Sequence, residues 1–326
     1  MKTVNRSPST VHRILITGSN GFIGSHLVEN ALKQGFKVIA AIRSSSNLKY
    51  LDGLPIQYLN LDLSNPTILT QQLSEFKAEF GQVDYIVHNA GVTKAKSKET
   101  YLKVNATYTQ HLLDAIEQSQ ILKQQFLLMS SLAARGPAEK MQPVTFYGES
   151  KLAAEQIVRQ SNIPYLIFRP TAVYGPRDKD FQTMFDTLKS KLELYVGYQT
   201  QQLSFIYVKD LTQLILTALQ SDKTQKIYNV AAHPFYTTKD FNQILKQILK
   251  VKTISIKLPI ALVRYIAYIA AFFSNFTGEY PILNPNKVNE LASLDWRCDI
   301  TDIEQDFNFK PQYSLEMGLK ETLEGR

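Results

Sequence analysis

Thr17-Gly18-Ser19-Asn20-Gly21-Phe22-Ile23-Gly24-Ser25-His26-Leu27 is the stretch from which the rest of the chain is read. The apolar run Ile14-Leu15-Ile16 leads into it. Phe22, Ile23, Leu27, Val28, Ala31 and Leu32 follow at helical spacing, so the pattern is strand, glycine turn, helix. Without side chains at Gly18 and Gly21 a backbone turns tightly and lets a diphosphate come close. Gly24 lets the helix press against the sheet. The helix then aims its free N–H groups and the positive end of its dipole at the anion. A turn that needs glycine for purely structural reasons is the plainer alternative. Three glycines at this spacing, after a strand and before a helix, favour nucleotide binding, which names a ligand class and no reaction.

Working outward, strands are expected at Lys37–Arg43, Ile56–Leu61, Val83–His88, Phe126–Met129 and Tyr165–Arg169. Helices are expected at Pro66–Phe80, Lys98–Ser119 and Phe146–Gln160. Alternation of this kind with short links predicts an α/β fold, a doubly wound parallel sheet of the Rossmann type. Ligands of such sheets lie outside the carboxyl ends of the strands, and the polar signatures of this chain gather there. Past Tyr174-Gly175-Pro176 the regularity fades. Phe205–Val208 and Lys226–Val230 read as strands returning to the sheet around a helix at Asp210–Gln220. The division expected is a dinucleotide-binding part at 1–176 and 203–232, and a smaller, mostly helical substrate-binding part at 177–202 and 233–326.

The chemistry is sharpest at Tyr147-Gly148-Glu149-Ser150-Lys151. Tyr147 and Lys151 are four apart and share a helical face. A phenol near its ordinary pKa of ~10 is a poor acid–base group at neutral pH. A nearby ammonium, and the positive nicotinamide, favour the phenolate, and a phenol so tuned exchanges a proton with a carbonyl oxygen. Y-x-x-x-K alone is common by chance. Ser131, at the end of the preceding strand, adds a hydroxyl for the same oxygen.

With these residues in place the chain resembles the extended short-chain dehydrogenases/reductases, the superfamily of the NAD-dependent epimerases and dehydratases. The resemblance runs from about Arg13 to Val230 and more loosely beyond. It is carried by T-G-S-N-G-F-I-G, L-D-L at 61–63, H-N-A-G at 88–91, V-N-A-T at 104–107, S-S-L-A-A at 130–134, Y-G-E-S-K and R-P-T-A-V-Y-G-P at 169–176. It implies a catalytic set of Ser131, Tyr147, Lys151 and Asn105: Ser131 orients the carbonyl, Tyr147 is the acid–base, Lys151 tunes it and bonds the nicotinamide ribose, and Asn105 supports a proton relay. It implies cofactor contacts from Gly18, Asn20, Gly21, Phe22 and Ile23, from Asp62 and Leu63 beside the adenine, from Asn89, Ala90 and Gly91 along the groove, from Tyr147 and Lys151, and from Pro170 and Val173 beside the nicotinamide. A homodimer through helices 98–119 and 147–160 is implied in the same way.

NAD enzymes place an acid at the end of the second strand, some twenty residues past the glycine turn. Here that place reads Ile42-Arg43-Ser44. Arg43 suits a 2′-phosphate, so NADP is expected, with NAD the alternative. Nucleotide-sugar members usually carry an arginine just before the F-I-H-V-like strand, where this chain has Gln202-Leu203-Ser204. The family's reductase branches, of the dihydroflavonol-reductase and 3β-hydroxysteroid-dehydrogenase kind, often lack it. The expected function is therefore hydride transfer between nicotinamide and a fairly apolar carbonyl or alcohol. Phe146, Tyr174 and residues 258–276 are candidate pocket walls. A nucleotide-sugar epimerase or dehydratase is the alternative, and a non-catalytic NADP sensor the second.

Composition bounds these readings. At 326 residues, 44% hydrophobic and 20% charged, the chain is globular rather than disordered. A net charge of +7 suits an anionic cofactor or substrate as well as a nucleic acid, but the lysines are spread along the chain, so no nucleic-acid partner is expected. One cysteine, Cys298, excludes an internal disulfide, and five histidines without H-x-x-x-H pairing give no expectation of a metal. Residues 1–10 lack the apolar core of a signal peptide, so a cytoplasmic location is expected. Leu258–Phe273 holds one charge, Arg264, and is short of the ~20 apolar residues of a membrane span. The reading is a helix over the cleft with an apolar underside, a membrane-surface helix being the weaker alternative.

Overall fold

Alternate residues of the first strand meet different layers of helices. β1 (Arg13–Thr17) turns Ile14 and Ile16 into a core shared with helices Phe22–Lys33 and Val208–Leu219. It turns Leu15 into a second core shared with helices Pro66–Phe80, Tyr108–Ser119 and Phe146–Gln160. A strand covered on both faces is apolar throughout, which is why Ile14–Ile16 is an unbroken run. The computed structural model in which this is seen describes residues 11–277, 281 and 283–325, so the reading of residues 1–10 lies outside it.

The chain continues through β2 (Lys37–Ile42), β3 (Gln57–Asn60), β4 (Val83–His88), β5 (Leu122–Met129) and β6 (Tyr165–Pro170). After β7 (Ala172–Tyr174), β8 (Leu192–Val196) and β9 (Gln202–Tyr207), β10 (Lys226–Val230) returns to the sheet. The seven-stranded order is β10-β6-β5-β4-β1-β2-β3, with every neighbour parallel. The strand order reverses between β1 and β4, where ligands of such sheets bind. The expected α/β doubly wound sheet is thus the one observed.

Three local expectations are corrected. Lys98–Ser119 is helical throughout, with the expected bounds, but not uniformly α: Lys98–Leu102 and Tyr108–Ser119 flank a π-helical turn at Lys103–Thr107. The extra residue per turn accompanies the inward use of Asn105, described below. Phe205–Val208 does not return to the main sheet, whose edge beside β6 is taken by β10. Instead β9 pairs in parallel with β7 and antiparallel with β11 (Ala232–Thr237). It carries Phe205 and Tyr207 into an aromatic core with Tyr174, Phe181 and Phe241. Tyr174 is consequently 2% exposed and belongs to this core, not to a pocket wall.

The third correction concerns the late apolar stretch. β12 (Ile254–Leu258) pairs in parallel with β8 and leads into helix Ile260–Thr277. Only Val263 and Ala267 of that helix are buried among its described side chains. They pack with Val288, Val196, Leu258 and Leu283. The apolar underside is therefore narrow, and the broader apolar face looks outward. No helix of the described residues is long and apolar enough to cross a membrane.

The junction of β1 with its helix is tested by volume. A Cβ on Gly24 would stand 2.1 Å from the carbonyl oxygen of Gly18, backbone against backbone, whereas one on Gly21 meets nothing nearer than 3.3 Å. In urea denaturation, Gly24→Ala is expected to lower stability by about 1–3 kcal/mol. Gly21→Ala is expected to change it by less than about 1 kcal/mol.

Candidate active site

The glycine turn is built by the close approach of three pieces of backbone. Gly18 sits at φ +65°, and a Cβ there would lie 2.8 Å from the nitrogen of Ala90. Asn89 Nδ2 donates to the Gly18 carbonyl at 3.4 Å, and the Ala90 N–H donates to Thr17 Oγ1 at 3.1 Å. The ends of β1 and β4 are thereby stitched together at the switch point. Gly21 precedes helix Phe22–Lys33 and has no side-chain cap, while helices Pro66–Phe80 and Phe146–Gln160 are capped by Asn65 and Thr145. The first N–H groups of the glycine-turn helix thus have no capping side chain. Asn20, Phe22 and Ile23 share this rim, Asn20 Nδ2 reaching Asn47 O at 3.3 Å. The cradle fits a diphosphate.

Beneath it His88 is 1% exposed and bridges two threonines, Nδ1 to Thr17 Oγ1 at 2.8 Å and Nε2 to Thr109 Oγ1 at 3.1 Å. Thr109 spends its proton on the Asn105 carbonyl at 2.8 Å. His88 therefore donates from Nε2 and accepts at Nδ1. Burial, reinforced by the Lys151 charge, pushes His88 down to about 3.

Asn105 projects from the π turn and is 2% exposed. Its Oδ1 accepts from Val92 N–H at 2.8 Å, and its Nδ2 donates to Val92 O at 3.0 Å and Ser150 Oγ at 2.9 Å. A Cβ on Gly91 would lie 2.8 Å from Asn105 Oδ1 and 3.4 Å from Lys151 Nζ. Gly91, Asn105 and Lys151 are thus brought together. The Lys151 ammonium donates to Met129 O at 2.7 Å, at the end of β5.

Ser131 and Tyr147 complete the cluster, the Ser131 hydroxyl lying close enough to the phenol to favour its ionised form. Ser131 follows β5 directly and caps the short helix Leu132–Arg135, accepting from Ala133 N–H at 3.2 Å. Tyr147 stands in the first turn of Phe146–Gln160, its ring 6.3 Å from that of Tyr101. The expectation of an acidified phenol is not met in the chain by itself. Burial pushes Tyr147 up to about 12; the Ser131 hydroxyl opposes this, and the Glu290 charge and Tyr101 add to it. Burial likewise pushes Lys151 down to about 8, with Glu155 opposing. Both groups are driven toward their neutral forms.

The remaining candidates lie along the same strand ends. Arg43, just past β2, is exposed; its N–H donates to Ser46 Oγ at 3.0 Å, and its guanidinium forms no ion pair among the described residues. Asp62 follows β3 and is held low by hydrogen bonds from the Ser64 hydroxyl and N–H. Leu63 gives its carbonyl to His111 Nδ1 at 2.9 Å. Pro170 ends β6, and Val173 lies in β7. Phe146 is 38% exposed, with Lys98 Nζ 5.8 Å from its ring centroid.

Several supporting residues escape a reading of motifs alone. Ser150 donates to Tyr147 O at 2.7 Å while accepting from Asn105. Glu155 stands four beyond Lys151, buried, where it accepts from Ser130 Oγ and pairs with Arg169 through Nε at 2.9 Å and Nη2 at 2.5 Å. Continuing the helical spacing of Tyr147 and Lys151 would have found it; Glu290 left no signal. Among the described residues no three His, Cys, Asp or Glu side chains gather as a metal site.

A switch-point glycine cradle beside a half-buried tyrosine and serine and a buried lysine defines a dinucleotide-dependent α/β enzyme. The chain belongs to the NAD dependent epimerase/dehydratase family, whose model it matches over residues 14–231. It is 25% identical over 284 residues to the ceramide reductase of Caulobacter vibrioides, covering 87% of this chain and 85% of that protein. It is 23% identical to the decarboxylating sterol-4-alpha-carboxylate 3-dehydrogenase of Candida albicans over 97% of both chains. The UDP-glucuronic acid 4-epimerase of Bacillus cereus, solved in complex with NAD, superposes with a TM-score of 0.74 at 22% identity, over 96% of this chain and 98% of that one.

Neutral His88 gives a pH signature. Its folded value of about 3 lies below the unfolded value of 6.5. The unfolded chain therefore binds the extra proton, and stability present above pH 6.5 is lost as pH falls toward 3. Between pH 7.5 and 4.5 the wild type is expected to lose about 2–3 kcal/mol more than His88→Gln, followed by urea denaturation at each pH.

Proposed function

We propose that the protein is an NADP-linked oxidoreductase that interconverts a carbonyl and an alcohol on a fairly apolar substrate. The observation that carries this reading is the approach of the Ser131 hydroxyl to Tyr147, one helical turn from Lys151 and beside Asn105. Two adjacent hydroxyls present two donors to one carbonyl oxygen. With burial holding the phenol protonated across the physiological range, Tyr147 is poised to give its proton as negative charge grows on that oxygen. Ser131 orients the oxygen.

NADP, when bound, supplies or accepts the hydride. Gly18, Asn20, Gly21, Phe22 and Ile23 would hold its diphosphate, Asp62 and Leu63 its adenine, and Asn89, Ala90 and Gly91 the middle of the groove. Lys151 would bond the ribose, and Pro170 and Val173 would border the nicotinamide. Lys151, anchored on Met129 O, also brings a positive charge toward the phenol when protonated. Asn105 fixes Val92 and Ser150 around both and would support the proton relay.

Arg43 supports NADP over NAD, because the end of β2 offers a guanidinium that forms no ion pair among the described residues, and no carboxylate. The substrate class rests on Gln202-Leu203-Ser204, which supplies no arginine for a diphosphate ahead of Phe205. It also rests on the two relatives whose names are those of a ceramide reductase and a sterol-carboxylate dehydrogenase.

Stoichiometric loss of NADPH absorbance with an apolar ketone is the expected assay result. Turnover of a nucleotide sugar with no net NADPH consumption would make the protein an epimerase or dehydratase instead. Tyr147→Phe is expected to lower kcat by about 10²–10⁴-fold while leaving the NADPH Kd within about twofold. Arg43→Asp is expected to shift the ratio of kcat/KM for NADPH over NADH by about 10–100-fold toward NADH. A wild type that prefers NADH would contradict the cofactor assignment.

A further inference from the structure

Helix Ile260–Thr277 is turned inside out relative to a surface helix of a globular protein. Its inward stripe is small, Val263 at 2% and Ala267 at 0% exposure. Its outward positions carry Leu262, Tyr265, Ile266, Tyr268, Ile269 and Phe273, each between 40% and 66% exposed. Arg264 is the single charge in its eighteen residues. A patch this long and this apolar marks an interaction site.

The strand pair beside it extends the patch. In the β8–β12 register Ile254 faces Leu192 and Ile256 faces Leu194, so these four side chains share one face of the pair. All four are exposed, Ile254 at 69%. The same face ends in Val196 and Leu258, which pack under Val263 and Ala267. The exposed aliphatic face of the strands therefore runs out from beneath the apolar helix. The opposite strand face is polar and internally satisfied: Glu193 accepts from Lys246, Thr253 and Ser255 at 2.9–3.0 Å.

Charge in the two segments that form the patch is almost wholly of one sign. Segments 189–200 and 246–277 contain Lys189, Lys191, Lys246, Lys250, Lys252, Lys257 and Arg264 against the single acid Glu193. That acid is 2% exposed and already paired with Lys246. Lys189, Lys191, Lys252, Lys257 and Arg264 are all exposed.

We propose that helix Ile260–Thr277 and the outer face of the β8–β12 pair form a docking surface for an anionic lipid bilayer. The apolar side chains enter the boundary between headgroups and acyl chains, with the helix in the plane of the surface. The tyrosines place ring and hydroxyl on the two sides of that boundary. The lysines meet anionic headgroups. This assignment is independent of the reaction proposed above and stands if that reaction is wrong.

The test is flotation of the full chain with phosphatidylcholine vesicles containing about a third phosphatidylglycerol, and with phosphatidylcholine alone. Most of the protein is expected to float with the anionic vesicles, less with the neutral ones. Ile266→Glu combined with Ile269→Glu is expected to lower partitioning more than about tenfold. Lys252→Glu with Arg264→Glu is expected to abolish the preference for anionic vesicles. Melting temperature and NADPH binding control for folding. If the glutamate pair unfolds the protein, Tyr265→Ser with Tyr268→Ser, at the more exposed positions, takes its place and is expected to weaken binding. No flotation, or flotation unchanged by the apolar variants, overturns the proposal. So does a fall in molar mass on Ile266→Glu, Ile269→Glu without vesicle binding by the wild type, which would make the face a contact between two copies of the chain.

Discussion

The carbonyl of Gly18 sits where no side chain fits. Ala90 approaches the Gly18 backbone on one side, and Gly24 lies against its oxygen on the other. Sheet, glycine turn and first helix therefore meet through backbone alone. That contact sets how deep the turn lies at the switch point. It also leaves the start of helix Phe22–Lys33 open, with no capping side chain, for an anion. Side-chain volume is excluded again one residue further along β4's exit, where Gly91 clears space for Asn105 and Lys151.

From that junction a buried polar lattice runs to the hydroxyls. Ala90 N–H, Thr17, His88, Thr109 and Asn105 form one continuous path, and Asn105 passes it to Val92 and Ser150 beneath Tyr147. Each member has its partner, so the lattice fixes position at little cost from unpaired polar groups. Burial holds His88 neutral and keeps the proton on Tyr147, while Lys151, lowered only to about 8, stays largely protonated near pH 7. Its ammonium is thus the charge this lattice brings toward the phenol.

Much of this was legible because it rests on spacing. Ile14–Ile16, the glycines at 18, 21 and 24, and the helix starts at Pro66 and Phe146 each encode a local rule, and the structure places those elements as read. The four-residue interval from Tyr147 to Lys151 likewise put both on one helix. What spacing does not encode is solvation. The interval suggested a cation acidifying a phenol, whereas burial dominates both groups. The partner of a strand is not local either: β9 has the apolar pattern of a sheet member, yet its aromatic residues pair it with β7 and β11. The helix at Ile260–Thr277 is apolar nearly all round, so its sequence could not say which side the protein would cover. The π turn at Lys103–Thr107 depends on contacts Asn105 makes with residues 13 and 45 positions away.

In the proposed enzyme the glycine cradle delivers a nicotinamide to a phenol that the protein alone keeps neutral. Tyrosine ring-carbon NMR reads it directly, with Tyr147→Phe supplying the assignment. Without nucleotide, Tyr147 should remain fully protonated at pH 9.5, in keeping with a value of about 12. Saturating oxidised NADP should make its hydroxyl at least about tenfold more acidic. A Tyr147 signal indifferent to bound nucleotide would contradict the account.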